Sequence, residues 1–242
     1  MINFFRKIRK QLADDNKPLK YMRYAIGEIL LVVVGILIAL SINNWNEERK
    51  DRVKEREVLE DIMNNLNRNN ELIRNSLVKI NKIDKSSDIV ISVIRSKKPY
   101  SDTLDSHFFE SPRSGGLLFP LSSEGYESLK NVGFDIIRSD SMKDKILELF
   151  EISYKRIKEK TQWTNERSNK FDLYLYTIFK TELPSTLTPL NYNQILNDTR
   201  YLSLVVDMKS QRSWYTEDIL DCLSQSEELI QIIMAELKEL DG

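Results

Sequence analysis

The chain has 242 residues, with 36 Lys and Arg against 37 Asp and Glu, a formal net charge of −1, and only 7 Gly and 6 Pro. That balance gives no global case for nucleic-acid binding, and a lone cysteine, Cys222, excludes an internal disulfide framework and any multi-cysteine metal site. A lone histidine, His107, excludes His₂ and His₃ metal centres within one chain, and scarce glycine and proline argue against a loop-rich β fold.

The charge is unevenly spread. Residues 1–23 carry Arg6, Lys7, Arg9, Lys10, Lys17, Lys20 and Arg23 against Asp14 and Asp15, a net of +5 that leaves −6 for the rest. Phe5, Ile8 and Leu12 recur there at helical spacing. The leader therefore fits a basic amphipathic helix on anionic lipid, ending before Pro18, or equally a solvated topogenic tail.

Residues 24–42 follow as an apolar run without a polar face from 30 to 40. At ~1.5 Å per residue the run reaches roughly 28 Å, close to the hydrocarbon thickness of a bilayer. Tyr21, Tyr24 and Trp45 stand at its edges, where amphipathic rings prefer the headgroup region. Ala39 and Ser41 would suit a signal-peptidase site, but the long leader and Glu28 argue for a retained transmembrane helix. The short basic leader predicts a cytoplasmic N-terminus and an extracytoplasmic domain at 43–242. Arg49, Lys50, Arg52, Lys54 and Arg56 after the span make that bias modest. Glu28 is the ionisable group of the span and a candidate membrane site, within snorkelling reach of Lys20 or Arg23. Gly35 and Ala39 form a small-xxx-small pair, a candidate for helix packing.

Beyond the span, prolines at 99, 112, 120, 184 and 189 leave three long proline-free stretches, each with apolar residues alternating at three and four. The first seam runs Leu59, Ile62, Leu66, Asn69, Ile73, Ser76, Ile80, Ile83, Ser87, Val90, Ile94. The second runs Leu147, Phe150, Tyr154, Ile157, Thr161, Thr164, Ser168, Phe171, Leu175, Ile178. The third runs Tyr201, Val205, Met208, Arg212, Tyr215, Ile219, Cys222, Ser226, Leu229, Ile233, Leu237, Leu240. These seams predict an all-α protein: one N-terminal transmembrane helix, then an elongated antiparallel bundle of three long helices with short helices between. Ser139 or Ser141 is expected to cap the second long helix, Gly133 to end a short helix at 123–132, and Pro189 to open another short helix. Residues 134–137 are the one short strand candidate, and 97–125 form the irregular excursion. With three long helices alternating in direction, 181–199 is expected beside the start of the first helix, near the bilayer, and the C-terminus at the far end.

No Gly-rich phosphate loop, HExxH, Gly-x-Ser-x-Gly elbow or cysteine pair occurs, so the expected protein is not an enzyme and needs no cofactor or metal. Cys222 occupies a seam position, where a buried inert thiol is expected. His107 reads as a surface or partly buried histidine. Asn69, Thr161, Thr164, Ser168 and Arg212 interrupt the apolar seams and form a candidate polar layer. It reads as a site for a small anion or polar ligand, as an internal pair of Arg212 with Glu166 or Glu217, or as an Arg212 snorkelling off the seam. Phe108, Phe109, Leu117, Leu118, Phe119 and Leu121 read as a plug for one end of the bundle, or as a partner patch if exposed. The expected role is a membrane-anchored bundle working through protein contacts; the alternatives are a small-ligand sensor bundle signalling through the span and a subunit of an ion-coupled membrane complex using Glu28. The expected partners are membrane lipid and a protein, a second copy included, with no nucleic acid.

The opening Phe4-Phe-Arg-Lys-Ile-Arg and the span Lys20-Tyr-Met-Arg-Tyr-Ala-Ile-Gly-Glu-Ile-Leu-Leu resemble an uncharacterised family of bacterial single-pass membrane proteins. Asn43-Asn-Trp-Asn-Glu and the later Gly125-Tyr-Glu-Ser-Leu-Lys-Asn-Val-Gly are similar to the same family. The resemblance implies a Gram-negative inner-membrane protein with a helical domain. It implies no activity.

Overall fold

The computed structural model describes residues 18–115 and 121–240, apart from the side chains of residues 18–21, 23 and 24. The expected leader helix, the Tyr21 and Tyr24 belt, and Leu117, Leu118 and Phe119 lie outside the described residues. In chain order the elements are α1 (Pro18–Arg95), α2 (Leu104–Glu110), α3 (Glu124–Val132) and a 3₁₀ turn (Phe134–Ile136). Then come α4 (Asp140–Leu147), a π-helical turn (Glu148–Ser153) and α5 (Tyr154–Ile178). Strands β1 (Phe179–Lys180) and β2 (Thr188–Pro189), α6 (Tyr192–Asn197) and α7 (Thr199–Leu240) complete the chain. The fold is all-α apart from that minimal antiparallel ladder, which pairs Phe179 with Pro189 and Lys180 with Thr188.

The chain divides into two compact units, Met1–Lys54 and Glu55–Gly242. In the first, α1 is long and apolar enough to cross a membrane. Its large apolar side chains from Ile26 to Ile42 stand 44–73% exposed, on every side of the helix. A Cβ at Gly35 would meet open space.

The second unit has its own core. All eleven positions of the first seam, from Leu59 to Ile94, are buried. So are those of the third seam from Tyr201 to Ile233. The second seam is buried at Phe150, Tyr154, Ile157, Thr164, Leu175 and Ile178, half-buried at Thr161, Ser168 and Phe171, and fails at Leu147, which is 38% exposed. The π-helical turn adds a residue to one turn and rotates the register, so Met142, Ile146 and Leu149 are buried there instead.

Helix direction differs from expectation. On α1, Arg74 meets Glu227, Asp84 meets Arg212 and Asp88 meets Lys209, so α7 runs antiparallel to α1. On α5, Ser153 meets Gln225, Lys160 meets Asp218 and Arg167 meets Asp207, so α7 is antiparallel to α5 as well. The first and second long helices therefore run the same way. Residues 96–139 make the return: His107 Nδ1 sits 3.1 Å from Ser86 Oγ, Asn69 pairs with Ser122, and the Arg138 N–H donates to Glu55 at 2.9 Å. Between these, α3 lies so close on α1 that a Cβ at Gly125 would stand 2.7 Å from the Asp61 carbonyl. Residues 181–199 consequently meet the Arg95 end of α1, where Leu187 N–H donates to Asp105 O at 3.0 Å and Tyr192 Oη to Lys98 O at 2.6 Å. The expected placement of that turn beside the start of the bundle is thus overturned.

Local signals fare unevenly. Ser139 caps α4, its Oγ accepting from Met142 N–H at 3.3 Å, and Gly133 ends α3 at φ +106°. Pro189 lies in β2 rather than in a helix, and α6 opens at Tyr192 with Asn191 as its cap. Residues 134–136 form a 3₁₀ turn and no strand, following Gly133 at φ +106°, a backbone conformation that glycine adopts without steric cost.

Candidate functional site

Two apolar clusters fill the bundle, one from Val58 to Ile80 on α1 and one from Val90 to Ile94, each closed by residues of α5 and α7. Between them lies the fully buried Arg212. Its position on α7 follows from the seam: Met208, Arg212 and Tyr215 share one face, and antiparallel pairing brings that face to residues 84–87 of α1.

Four hydrogen bonds engage the guanidinium. Nε donates to Asp84 Oδ1 at 2.7 Å and Nη2 to Ser87 Oγ at 2.6 Å, while Nη1 reaches Arg113 O at 2.7 Å and Ser111 O at 3.3 Å. Burial pulls the Arg212 pKa down, and the hydrogen bond and charge of Asp84 oppose that pull. The ion-pair partner is therefore Asp84; Glu166 instead accepts from Gln162, and the expected Glu166 or Glu217 pair is not formed. Gly115 closes the knot at φ +70°, where a Cβ would stand 3.0 Å from Arg212 Cδ. Four of the five guanidinium N–H groups are thus spent on protein acceptors, two of them backbone carbonyls of the return segment. The arrangement ties α1, α7 and residues 111–115 together.

Of the other candidate polar-layer residues, Ser168 touches this knot indirectly, donating to Pro112 O at 3.4 Å. Thr161 Oγ1 lies 2.5 Å from Tyr215 Oη, and Thr164 bonds back to the Thr161 carbonyl of its own helix at 3.0 Å. Asn69 stands apart: its amide donates to Ser122 O at 2.8 Å and accepts from Ser122 N–H at 2.9 Å, acting as a one-residue strand partner. Fifteen residues separate it from Asp84 on α1, roughly 22 Å along the axis. The structure brings together Arg212, its α1 partners and, at one remove, Ser168; it does not bring Asn69 to them.

At the Asn69 level lies a second polar group that sequence spacing does not reveal. Asn65 and Asn70 are buried, and both amide atoms of Asn65 and Oδ1 of Asn70 close no hydrogen bond among the described residues. Asn69 and Ser226 approach the Tyr154 hydroxyl without good hydrogen-bond geometry, and burial pushes that hydroxyl pKa up. Beside it, a groove of about 810 Å³ opens between α3 and α5, floored by Tyr126, Phe150, Tyr154 and Ile157. Tyr126 and Phe150 stack at 4.9 Å, and the Tyr126 hydroxyl donates to Glu151 at 2.8 Å.

The remaining candidates are scattered. Glu28 is half-exposed on α1, and Gly35 and Ala39 are exposed. Cys222 is buried, and burial pushes its thiol up to about 12. Phe108 is fully buried against Phe179 and Tyr201, with ring centroids 5.2 and 6.2 Å away, and so plugs the smaller cluster. Phe109 is half-buried under the Arg113 guanidinium. Among the described residues no group of three or more His, Cys, Asp or Glu side chains could hold a metal ion.

No curated protein and no solved structure matches the chain significantly. A family model described as a family of unknown function, DUF6090, matches residues 28–209, from the apolar helix well into α7. With most of its length covered by that match, the chain belongs to this family of unknown function.

Proposed function

We propose that this chain is a single-pass anchor in the inner membrane of a Gram-negative bacterium, its helical bundle outside the cytoplasm working through protein contacts rather than through a reaction of its own. One observation carries the reading. The apolar side chains between Ile26 and Ile42 are exposed all round their helix, while Glu55–Gly242 encloses a core of its own. Apolar side chains on every face of a helix call for lipid or other helices, at about 25 cal/mol for each Å² withdrawn from water. The Arg212 knot supports contact over sensing, since its hydrogen-bonding capacity goes to fixing the return segment.

The test is fractionation of cells making the full chain. It should stay in the membrane pellet through an alkaline carbonate wash, and the bundle should be digested by protease added to spheroplasts. A Val33→Arg/Leu37→Arg chain should move to the soluble fraction. Release of the unaltered chain by carbonate, or protection of the bundle from outside protease, would overturn the anchor or its orientation respectively.

A further inference from the structure

The outer face of the α5–α7 pair carries a pattern that the core does not require. Trp163 and Trp214, two of the three tryptophans of the chain, stand 51% and 64% exposed on facing helices. They flank a largely apolar groove of about 350 Å³, with Thr164, Gln211 and Tyr215 between them. Ion pairs across the two helices frame this opening on both sides. Arg167 reaches Asp207 at 2.7 Å on one side, and Lys160 and Arg156 reach Asp218 on the other, Arg156 at 3.8 Å. Exposed indoles bordered by charged side chains are the usual anatomy of an interface centre and its polar rim.

The charges are sorted by helix. Along α5 one stripe reads Arg156, Lys160, Trp163, Arg167, Lys170 at spacings of four, three, four and three. Along α7 the facing stripe reads Asp207, Gln211, Trp214, Asp218, Asp221 at the same spacings. Because the helices are antiparallel, the two stripes are in step: counted from the Lys160–Asp218 pair and the facing Trp163 and Trp214, Arg156 falls level with Asp221 and Lys170 with Asp207, while Arg156 and Arg167 each reach about one turn along α7, to Asp218 and Asp207. One carboxylate of α5, Glu159, also lines the groove, and its stripe stays basic on balance.

We infer that this face binds a second copy of the chain, through a two-fold axis running along the groove parallel to the helices. Such an axis lays α5 of each copy on α7 of the other at unchanged height. Basic residues then face acidic ones at three levels, Arg156 at Asp221, Lys160 at Asp218 and Lys170 at Asp207, and Trp163 faces the Trp214 of its neighbour. A partner of one net charge would meet repulsion from one of the two stripes. A second copy satisfies both, and the groove between the indoles receives an indole from the other side.

The experiment uses the full chain in detergent micelles and does not depend on the membrane reading, which fractionation tests separately. Two differently tagged copies are produced together, one carrying Arg156→Cys and the other Asp221→Cys. Mild oxidation should link them at least tenfold more than a control pair carrying Val78→Cys, an exposed site on α1. A Trp163→Ala/Trp214→Ala chain with an unchanged circular dichroism spectrum should dissociate at least tenfold more readily by light scattering. A monomeric mass at high micromolar protein, linking no better than the control, or a dimer untouched by the double variant would each overturn the inference. The last result would assign self-association to the apolar helix instead.

Discussion

Two polar levels of the same bundle solve burial in opposite ways. At the Arg212 level a full charge is withdrawn from water, and Asp84, Ser87 and two carbonyls replace the lost hydration. At the Asn65–Asn70 level neutral amides are buried and left partly unpaired among the described residues. Size alone would make the arginine the greater burden. Geometry reverses the order: the guanidinium is aimed at backbone acceptors of a neighbouring segment, as the Asn69 amide is at Ser122, whereas both amide atoms of Asn65 and Oδ1 of Asn70 meet no partner among the described residues. The contrast separates a polar residue that fixes a fold from one that the fold carries at a cost.

The sharpest way to break the contrast is Arg212→Met. The apolar replacement keeps volume but strands Asp84 and the carbonyl of Arg113, and leaves the Ser111 carbonyl with the Ser87 hydroxyl alone. The expected loss is about 3–5 kcal/mol, a fall in melting temperature of roughly 10 °C. Hydrogen exchange should rise first in the amides of 104–115, the segment that the guanidinium holds. A variant as stable as the parent would show that the return segment is held by packing alone.

The opposite sign is expected at the other level. Asn65→Leu removes an amide with neither atom paired among the described residues and adds a buried apolar side chain on the stretch of α1 that carries Ile62 and Leu66 of the larger cluster. Replacing an unsatisfied buried polar group in this way should stabilise the chain by about 1–2 kcal/mol, read as a higher urea midpoint with an unchanged slope. A loss of stability would mean that Asn65 has a partner, and would erase the difference between the two levels.

Much of this architecture is legible in the sequence, and the exceptions share a cause. Three-four spacing identifies the buried faces of α1 and α7 residue by residue, because long uninterrupted helices keep their register. Leu147 escapes because a π-helical turn breaks that register without a proline or glycine to announce it. The direction of the helices escapes for a different reason. Residues 96–139 look like a connection, yet they run back along α1 through α2, α3 and extended links, and so act as a fourth layer. Counting only long helices inverts the direction of α5 and places Arg212 opposite the wrong carboxylates. Asp84 sits beside the seam rather than on it, and the carbonyls of Ser111 and Arg113 have no side-chain signature at all. A buried arginine announces that acceptors exist; backbone acceptors can be found only in three dimensions.

Cys222 gives the smallest effect and lies on the α7 seam between the two levels. Its folded thiol titrates near 12 against about 9 in the unfolded chain, chiefly because burial disfavours the thiolate. The folded chain therefore keeps a proton that the unfolded chain gives up. The stability this supplies is complete below pH 9 and is lost as pH rises from there towards 12. Between pH 8 and pH 10 the parent should lose about 1 kcal/mol more than Cys222→Ala, after the shared contribution of the buried tyrosines cancels in the difference. Equal losses would mean that the thiol meets water in the folded chain, and a thiol reagent would then label it faster than global unfolding allows. Slow labelling, limited by unfolding, is expected instead. It would mark the α7 seam between Arg212 and Ser226 as dry, so that the unpaired amides beyond it have no solvent channel through which to recover their lost hydrogen bonds.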